Sequence, residues 1–299
     1  AERQGYQPNL NARLLKHQRT QTLGLIAPVT APRRPDRFFN EFVTGVSHSA
    51  TAAGFDVLLS TSESTDDIGP YRRLVSRGRV DGVILARTAR HDARIDYLLA
   101  AGVPFAVFGR SANAREYMHI DVDGIHGQRA VTEHLITLGH RRIAYVTPPP
   151  HLMFSEYRLA GFKLAMDDHG LRVDPALIVA GDLTEAGGEA AAASLLARPD
   201  PPTAIMCGND LTAFGVITAC EARGLSVGRD VSVTGFDDVP FASYLKTPLT
   251  TVLQPIYDIA QRLTALLLQM VTGDLDPASP RGILIEPELI VRASTGAPR

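Results

Sequence analysis

Cysteine is scarce in this sequence, long apolar runs are missing, and neither sign of charge dominates. Only Cys207 and Cys220 occur, each inside an apolar run, which reads as two reduced core thiols and excludes a disulfide framework or a zinc site. No stretch approaches the ~20 continuous apolar residues of a membrane span, and the N-terminus lacks the charged-then-apolar pattern of a secretory signal. A cytoplasmic protein with no membrane partner is therefore expected. The formal net charge is −2 and the sequence pI about 6.5, so no global field attracts polyanions and any nucleic-acid contact must come from a local patch. Catalytic signatures are absent as well. There is no G-x-S-x-G elbow, phosphate loop, H-E-x-x-H or G-x-G-x-x-G fingerprint, so a binding protein is expected before an enzyme. "DVDG" at 121–124 opens like a calcium loop, but His126 takes its sixth position and Thr132 its twelfth, so neither metal nor cofactor is expected. His134 and His140 read as a solvated pair near a helix end.

What is present begins with a local patch. Residues 1–20 hold Arg3, Arg13, Lys16 and Arg19 against Glu2, a local charge of +3 ahead of the first apolar run. Pro8 suits a first helical turn, and Asn9 to His17 span about two turns, below the ~12 to 15 residues an isolated helix needs in water.

From Thr22 onward, short β-branched runs alternate with helical-period segments, the rhythm of βαβ units and parallel sheets. "TLGLIAP", "DVLLS", "DGVILA", "PFAVFG" and "HIDV" are strands. Phe39 to Ala53 is a helix whose Phe42, Val46, Ser49 and Ala53 share a face, and Gly124 to Leu138 is another. The rhythm then restarts with "RRIAYVTP", "ALIVAG", "TAIMCG" and "VSVTGF", separated by helices near Ser155–His169, Thr184–Leu196 and Asp210–Arg223. With 299 residues, 45% of them hydrophobic, the chain can bury two cores, and two doubly wound sheets are favoured over one very large one. A tail of strand, helix and closing strands "GILIEPELIVRAS" adds to both. The expected division is 1–20 as hinge and linker, 21–139 plus 254–281 as the first lobe, and 140–253 plus 282–299 as the second.

In open α/β sheets ligands sit beyond the carboxyl ends of strands, and here two such edges would face each other across a cleft. Polar residues that follow strands are then the candidates: Thr30, Ser60, Arg87, Arg110, Asp121 and Asp123 in one lobe, Thr147, Asn209, Asp237 and Asp238 in the other. "GFDD" at 235–238 delivers paired carboxylates suited to acid–base work or to accepting hydrogen bonds from a polyol, with turn chemistry as the alternative for Asp238. In "CGND", Asp210 is placed to cap the next helix and Asn209 is the better ligand candidate. Arg158 stands in the first turn of a helix, where a cation is disfavoured unless an anionic or bidentate partner lies nearby; the alternative is a plain surface arginine.

Taken in order, "GYQPNLNARLLKHQRTQTLGLIAP", "RVDGVIL", "GVPFAVFGR", "IDVDGIHGQRAVTEHLITLGHRRIAYV", "YRLAGFKLAM", "PPTAIMCGNDLTAFGVITACEARGLSVGRDVSVTGFDD" and "PLTTVLQP" resemble the LacI/GalR family of bacterial transcriptional repressors over essentially the whole chain. The resemblance implies a periplasmic-binding-protein-like core of type I, α/β, with two doubly wound parallel-sheet lobes around a cleft and three crossovers. It implies a small effector in that cleft, a sugar or sugar derivative, that alters affinity for operator DNA; the rival reading is a sugar-binding transport receptor. It assigns Arg158 to gripping the effector, Asn209 and Asp237 to accepting from hydroxyls, and Phe162 to walling the pocket, with Phe38, Ser60, Arg110, Asp121 and His126 as first-lobe contacts. It places Leu15 as the wedge of a minor-groove hinge helix, with Arg13 and Lys16 near phosphates, and implies a helix-turn-helix headpiece ahead of residue 1. It also implies a homodimer formed along first-lobe helices, for which "FFNEFVTGVSHSATAAG" offers small and apolar residues.

Overall fold

The computed structural model describes residues 19–28, 37–62, 67–113, 116–276 and 282–299. Leu15, Arg13, Lys16 and Thr30 lie outside them.

The first lobe is built on a parallel sheet of β1 (Thr22–Pro28), β2 (Asp56–Ser62), β3 (Gly82–Ala86), β4 (Phe105–Phe108), β5 (His119–Val122) and β11 (Gly282–Ile285), in the order β11-β5-β4-β3-β1-β2. Successive side chains alternate between its faces. Ile84 therefore joins a core with Leu23, Leu25, Phe42, Leu263 and Leu267 beneath α1 (Arg37–Ala52) and α8 (Ile256–Thr272). Val83 and Leu85 join Tyr71, Leu74 and Leu98 beneath α2 (Gly69–Ser76) and α3 (Ala93–Ala101) on the other face.

The second lobe repeats the plan with β6 (Ile143–Thr147), β7 (Ile178–Ala180), β8 (Ala204–Cys207) and β9 (Ser232–Thr234), all parallel in the order β7-β6-β8-β9. α4 (Gly124–Thr137) and α5 (Met153–Asp168) cover one face, α6 (Glu185–Leu196) and α7 (Asp210–Ala222) the other. β10 (Thr251–Leu253) and β12 (Glu288–Ile290) form an antiparallel ribbon, joined to the end of β9 by the bridges Thr234 to Thr250 and Asp237 to Leu253. Helix starts follow local chemistry. The carboxylate of Asp92 accepts from the Arg94 amide to open α3, and that of Asp123 accepts from the amides of Ile125 and His126 to open α4.

The lobes divide the chain differently from the expected boundaries in two places. α4, expected in the first lobe, packs on α5, with Val131, Leu135 and Ile136 in one core with Tyr145 and Phe162. Gly161 permits this, since a Cβ there would lie 2.3 Å from the Ile125 carbonyl oxygen. Residues 282–285, expected in the second lobe, pair with β5 of the first. The chain therefore crosses between lobes at about residue 123, between β10 and α8, and between β11 and β12. In α1 the buried stripe is Phe42, Gly45, Val46 and Ala50, whereas Ala53 is exposed beyond the helix end. Gly45 faces α8, its missing Cβ 2.6 Å from the Tyr257 carbonyl oxygen, so part of the small-residue surface read as an intermolecular face serves packing within the lobe.

His140 is also unlike its expectation. It is buried, with Nδ1 2.9 Å from Thr203 Oγ1 and Nε2 2.9 Å from both Ser232 Oγ and the Gly296 carbonyl oxygen, tying the C-terminal segment to β9. Burial pushes its pKa down from the ordinary imidazole value.

Candidate functional site

The carboxyl ends of both sheets open on one interlobe cleft of roughly 700 Å³. From the first lobe come Phe38 on α1, Arg87 and Thr88 after β3, Phe108 and Arg110 at the end of β4, and Asp121 in β5. From the second come Phe154 and Arg158 on α5, Asn209 after β8, Phe236 and Asp237 after β9, and Gln254 beyond β10.

Arg158 is 5% exposed. Its guanidinium carbon lies 3.5 Å from the centroid of the Phe236 ring and 4.8 Å from that of Phe154, which stands one helical turn earlier. Nη1 donates to the Gly208 carbonyl at 2.5 Å, and Nη2 lies 4.0 Å from Asp237 Oδ1. Burial lowers the Arg158 pKa, opposed by the charge of Asp237. The cation thus sits between apolar faces with one carboxylate at the limit of ion-pair distance, and its exposed edge suits an oxygen-rich ligand. Asp237 adopts φ 124, a left-handed backbone that aims its carboxylate at Gln254, whose Nε2 donates to Oδ1 at 2.5 Å.

The first lobe presents a second pair. Arg110 Nε donates to Asp121 Oδ2 at 2.7 Å, and burial raises the Asp121 pKa against the pull of Arg110. The same guanidinium lies 4.2 Å from the centroid of the Tyr157 ring on α5, so Arg110 touches both lobes. Arg87, at φ 55, reaches over the Phe38 ring at 5.7 Å. The lobes also meet beside the cleft, where the Met153 amide donates to the Thr88 carbonyl at 2.8 Å and Arg90 pairs with Glu156.

Of the nine effector contacts implied by the resemblance, Phe38, Arg110, Asp121, Arg158, Asn209 and Asp237 line the cleft, and three do not. Phe162 is buried against Tyr145, their ring centroids 5.5 Å apart, because it lies one turn deeper into the sheet than Arg158; Phe154 and Phe236 are the aromatic walls instead. Ser60 sits in edge strand β2 opposite Ile26, away from the opening. His126 is exposed, 3.2 Å from Glu286 beside the last crossover.

Within "CGND" the cap alone differs from expectation. Asn209, not Asp210, caps α7: its Oδ1 accepts from the Thr212 amide at 3.0 Å and hydroxyl at 2.6 Å, which leaves Nδ2, 3.2 Å from the Leu183 carbonyl, as the group facing a ligand. Asp210 is fully buried, accepting from the Val239 amide at 2.8 Å and the Thr251 hydroxyl at 2.5 Å. Its pKa is raised to about 6 by burial. Asp238 is structural, held by the Arg292 fork at 2.6 and 3.1 Å. Arg87 was legible only as a polar residue after a strand; Thr88, Phe108, Phe236 and Gln254 carry no signal of their own beyond lying near strand ends.

Residues 132–295 match the description of a periplasmic binding protein-like domain. The HTH-type transcriptional regulator AglR of Rhizobium meliloti (strain 1021) is 36% identical over 296 residues, 98% of this chain and 83% of that protein. The structure of a CelR–cellobiose complex, also a transcriptional regulator, is similar with a TM-score of 0.83 at 31% identity, covering 95% of this chain and 89% of that one. A LacI family regulator from Enterococcus faecium with bound ribose is similar with a TM-score of 0.81 at 27% identity, covering 93% of this chain and all of that one.

Proposed function

This chain belongs to the LacI family of transcriptional regulators, and on that premise we propose that its interlobe cleft is the effector site and that a carbohydrate is the effector. One observation carries the reading: each lobe offers an Arg–Asp pair beside aromatic rings, Arg110–Asp121 on one wall and Arg158–Asp237 on the other. A vicinal diol donates and accepts together, so a guanidinium beside a carboxylate matches it on each side. A saccharide reaching both walls stabilises the closed arrangement relative to the open one, and a tenfold difference in affinity between the two corresponds to about 1.4 kcal/mol of bias. Cellobiose in CelR and ribose in the Enterococcus faecium regulator support a sugar here.

The proposal extends to the remaining parts. The lobes act on operator DNA through a homodimer, and residues 1–20, with Leu15, Arg13 and Lys16, form the minor-groove hinge. The protein acts as a cytoplasmic binding protein without catalysis; among the described residues no helix is long and apolar enough to cross a membrane.

The test is a thermal-shift screen of mono- and disaccharides followed by calorimetric titration. A binder raises stability by RT ln(1 + [L]/Kd), and Arg158→Ala weakens it by ~2–4 kcal/mol because the buried partner groups are left unpaired. Unchanged affinity in that variant refutes the site.

A further inference from the structure

Four buried polar atoms beneath the cleft have no hydrogen-bond partner among the described residues: the Gln128 amide oxygen, the hydroxyls of Tyr145 and Thr234, and Nε of Arg158. Their residues are 1%, 0%, 1% and 5% exposed. They share one layer. Strand register sets Tyr145, Met206 and Thr234 in a row across β6, β8 and β9. Tyr145 and Met206 face α4 and α5, in one core with Val131 and Phe162. Thr132 on α4 contacts the Met206 sulfur at 3.6 Å, which seats Gln128, one turn earlier, over the same row. Phe236, two residues beyond Thr234, links the layer to Arg158: its ring carries the guanidinium on one side, and its edge lies 3.1 Å from where a Cβ on Gly127 would stand.

The hydrogen-bonding characters of these atoms are complementary. Arg158 Nε–H only donates, the Gln128 oxygen only accepts, and the two hydroxyls do either. A guanidinium in the layer disfavours a metal cation, and an amide oxygen disfavours an anion. Water, with two hydrogens to donate and two lone pairs to accept, fits the set; buried waters commonly make about three bonds to otherwise unsatisfied groups.

We propose that one or two internal water molecules bridge Tyr145, Gln128 and Thr234 to Arg158 Nε, making these three positioning residues for the guanidinium that faces the cleft. The hydration is independent of the effector reading, whereas its value for binding rests on that reading. With Nη1 on the Gly208 carbonyl and Nη2 toward Asp237, a bonded Nε fixes the third corner of the guanidinium plane.

The experiment uses the unliganded chain and two variants, Tyr145→Phe and Thr234→Val. Long-lived internal waters are counted by water ¹⁷O relaxation dispersion, stability by calorimetry, and the Arg158 Nε–H by ¹H–¹⁵N spectra in which Arg158→Lys identifies the signal. Tyr145→Phe is expected to lose at least one long-lived water, to melt roughly 2–4 °C lower, and to speed solvent exchange of the Arg158 Nε–H about tenfold or more. Thr234→Val is expected to move the same readouts in the same direction, which covers the case in which Tyr145→Phe does not fold. An unchanged water count, with an equal or higher melting temperature and an unmoved Nε–H signal, would overturn the proposal, since removing an unpaired buried hydroxyl is neutral or stabilising. None of these readouts needs an effector, so a failed saccharide screen would sink the effector reading and leave this result standing.

Discussion

Replacing Gly161 by alanine tests how closely α4 and α5 are locked behind the cleft. The added Cβ would lie 2.3 Å from the Ile125 carbonyl oxygen, 3.0 Å from its carbon and 3.1 Å from the Ile125 Cα. All three are backbone atoms, so no rotamer change relieves the contact, and the helices must part by roughly 1 Å to restore ordinary contact near 3.5 Å. Overpacking of this kind costs about 1–3 kcal/mol, and an unyielding backbone places it at the upper end. Against that stands the helix propensity of alanine, worth about 1 kcal/mol over glycine in a helix interior. The difference predicts a net loss of about 2 kcal/mol, read as a lower urea midpoint with an unchanged slope. Because Arg158 precedes Gly161 by less than one turn, the shift also widens the 4.0 Å gap to Asp237 and weakens effector binding. A variant more stable by about 1 kcal/mol would refute the reasoning, since propensity alone would then decide the outcome.

Asp210→Ala strands the Val239 amide and the Thr251 hydroxyl in a buried site and is expected to cost ~2–4 kcal/mol in denaturant unfolding. The pKa of His140 is held below its unfolded value of 6.5, so its contribution to stability is complete above that pH and is lost as pH falls toward the folded value. Urea midpoints measured from pH 7.5 down to 5 should decline for the wild type by up to ~1.4 kcal/mol per pH unit from this group, and less steeply for His140→Asn. Sedimentation at micromolar concentration is expected to give one species of about twice 32.2 kDa; a clean monomer or tetramer contradicts the dimer.

The strands were legible because runs such as "GVILA" and "IAYVT" are short, β-branched and bounded by turn residues, and burial on both faces leaves no polar alternation to mislead. Allegiance to a lobe was not legible. The apolar stripe of α4 says which face is buried, and only the close approach of Gly161 to Ile125 says which helix covers it. β11 is likewise a generic edge strand until its register with β5 is known. At the site, Asp237 and Arg110 were recoverable from their positions after strand ends, whereas Arg158, expected in the first turn of its helix, stands in the second turn of α5, which starts at Met153. Choosing the aromatic walls required knowing that residue 154 of α5 faces the opening and residue 162 faces the sheet. In "CGND", both Asn and Asp are good caps, and Asp210 is drawn from the cap into the interior because Val239 and Thr251 place their donors there.

The return of the chain to its first lobe has a consequence for how the protein is made. Most of the first sheet, β1 to β5, leaves the ribosome early, but the helix that seals its core, α8, and its edge strand β11 are encoded more than a hundred residues later. Leu25, Phe42 and Ile84 must therefore wait for Leu263 and Leu267 while the whole second sheet emerges between them. At ~5–20 residues per second, that leaves an apolar face uncovered for roughly ten seconds or longer. The second lobe cannot finish first either, since its ribbon strand β12 follows β11. Neither lobe matures as an independent translation product, so nascent chains of this protein are expected to engage chaperones through the α1 side of the first sheet until α8 and β11 have emerged.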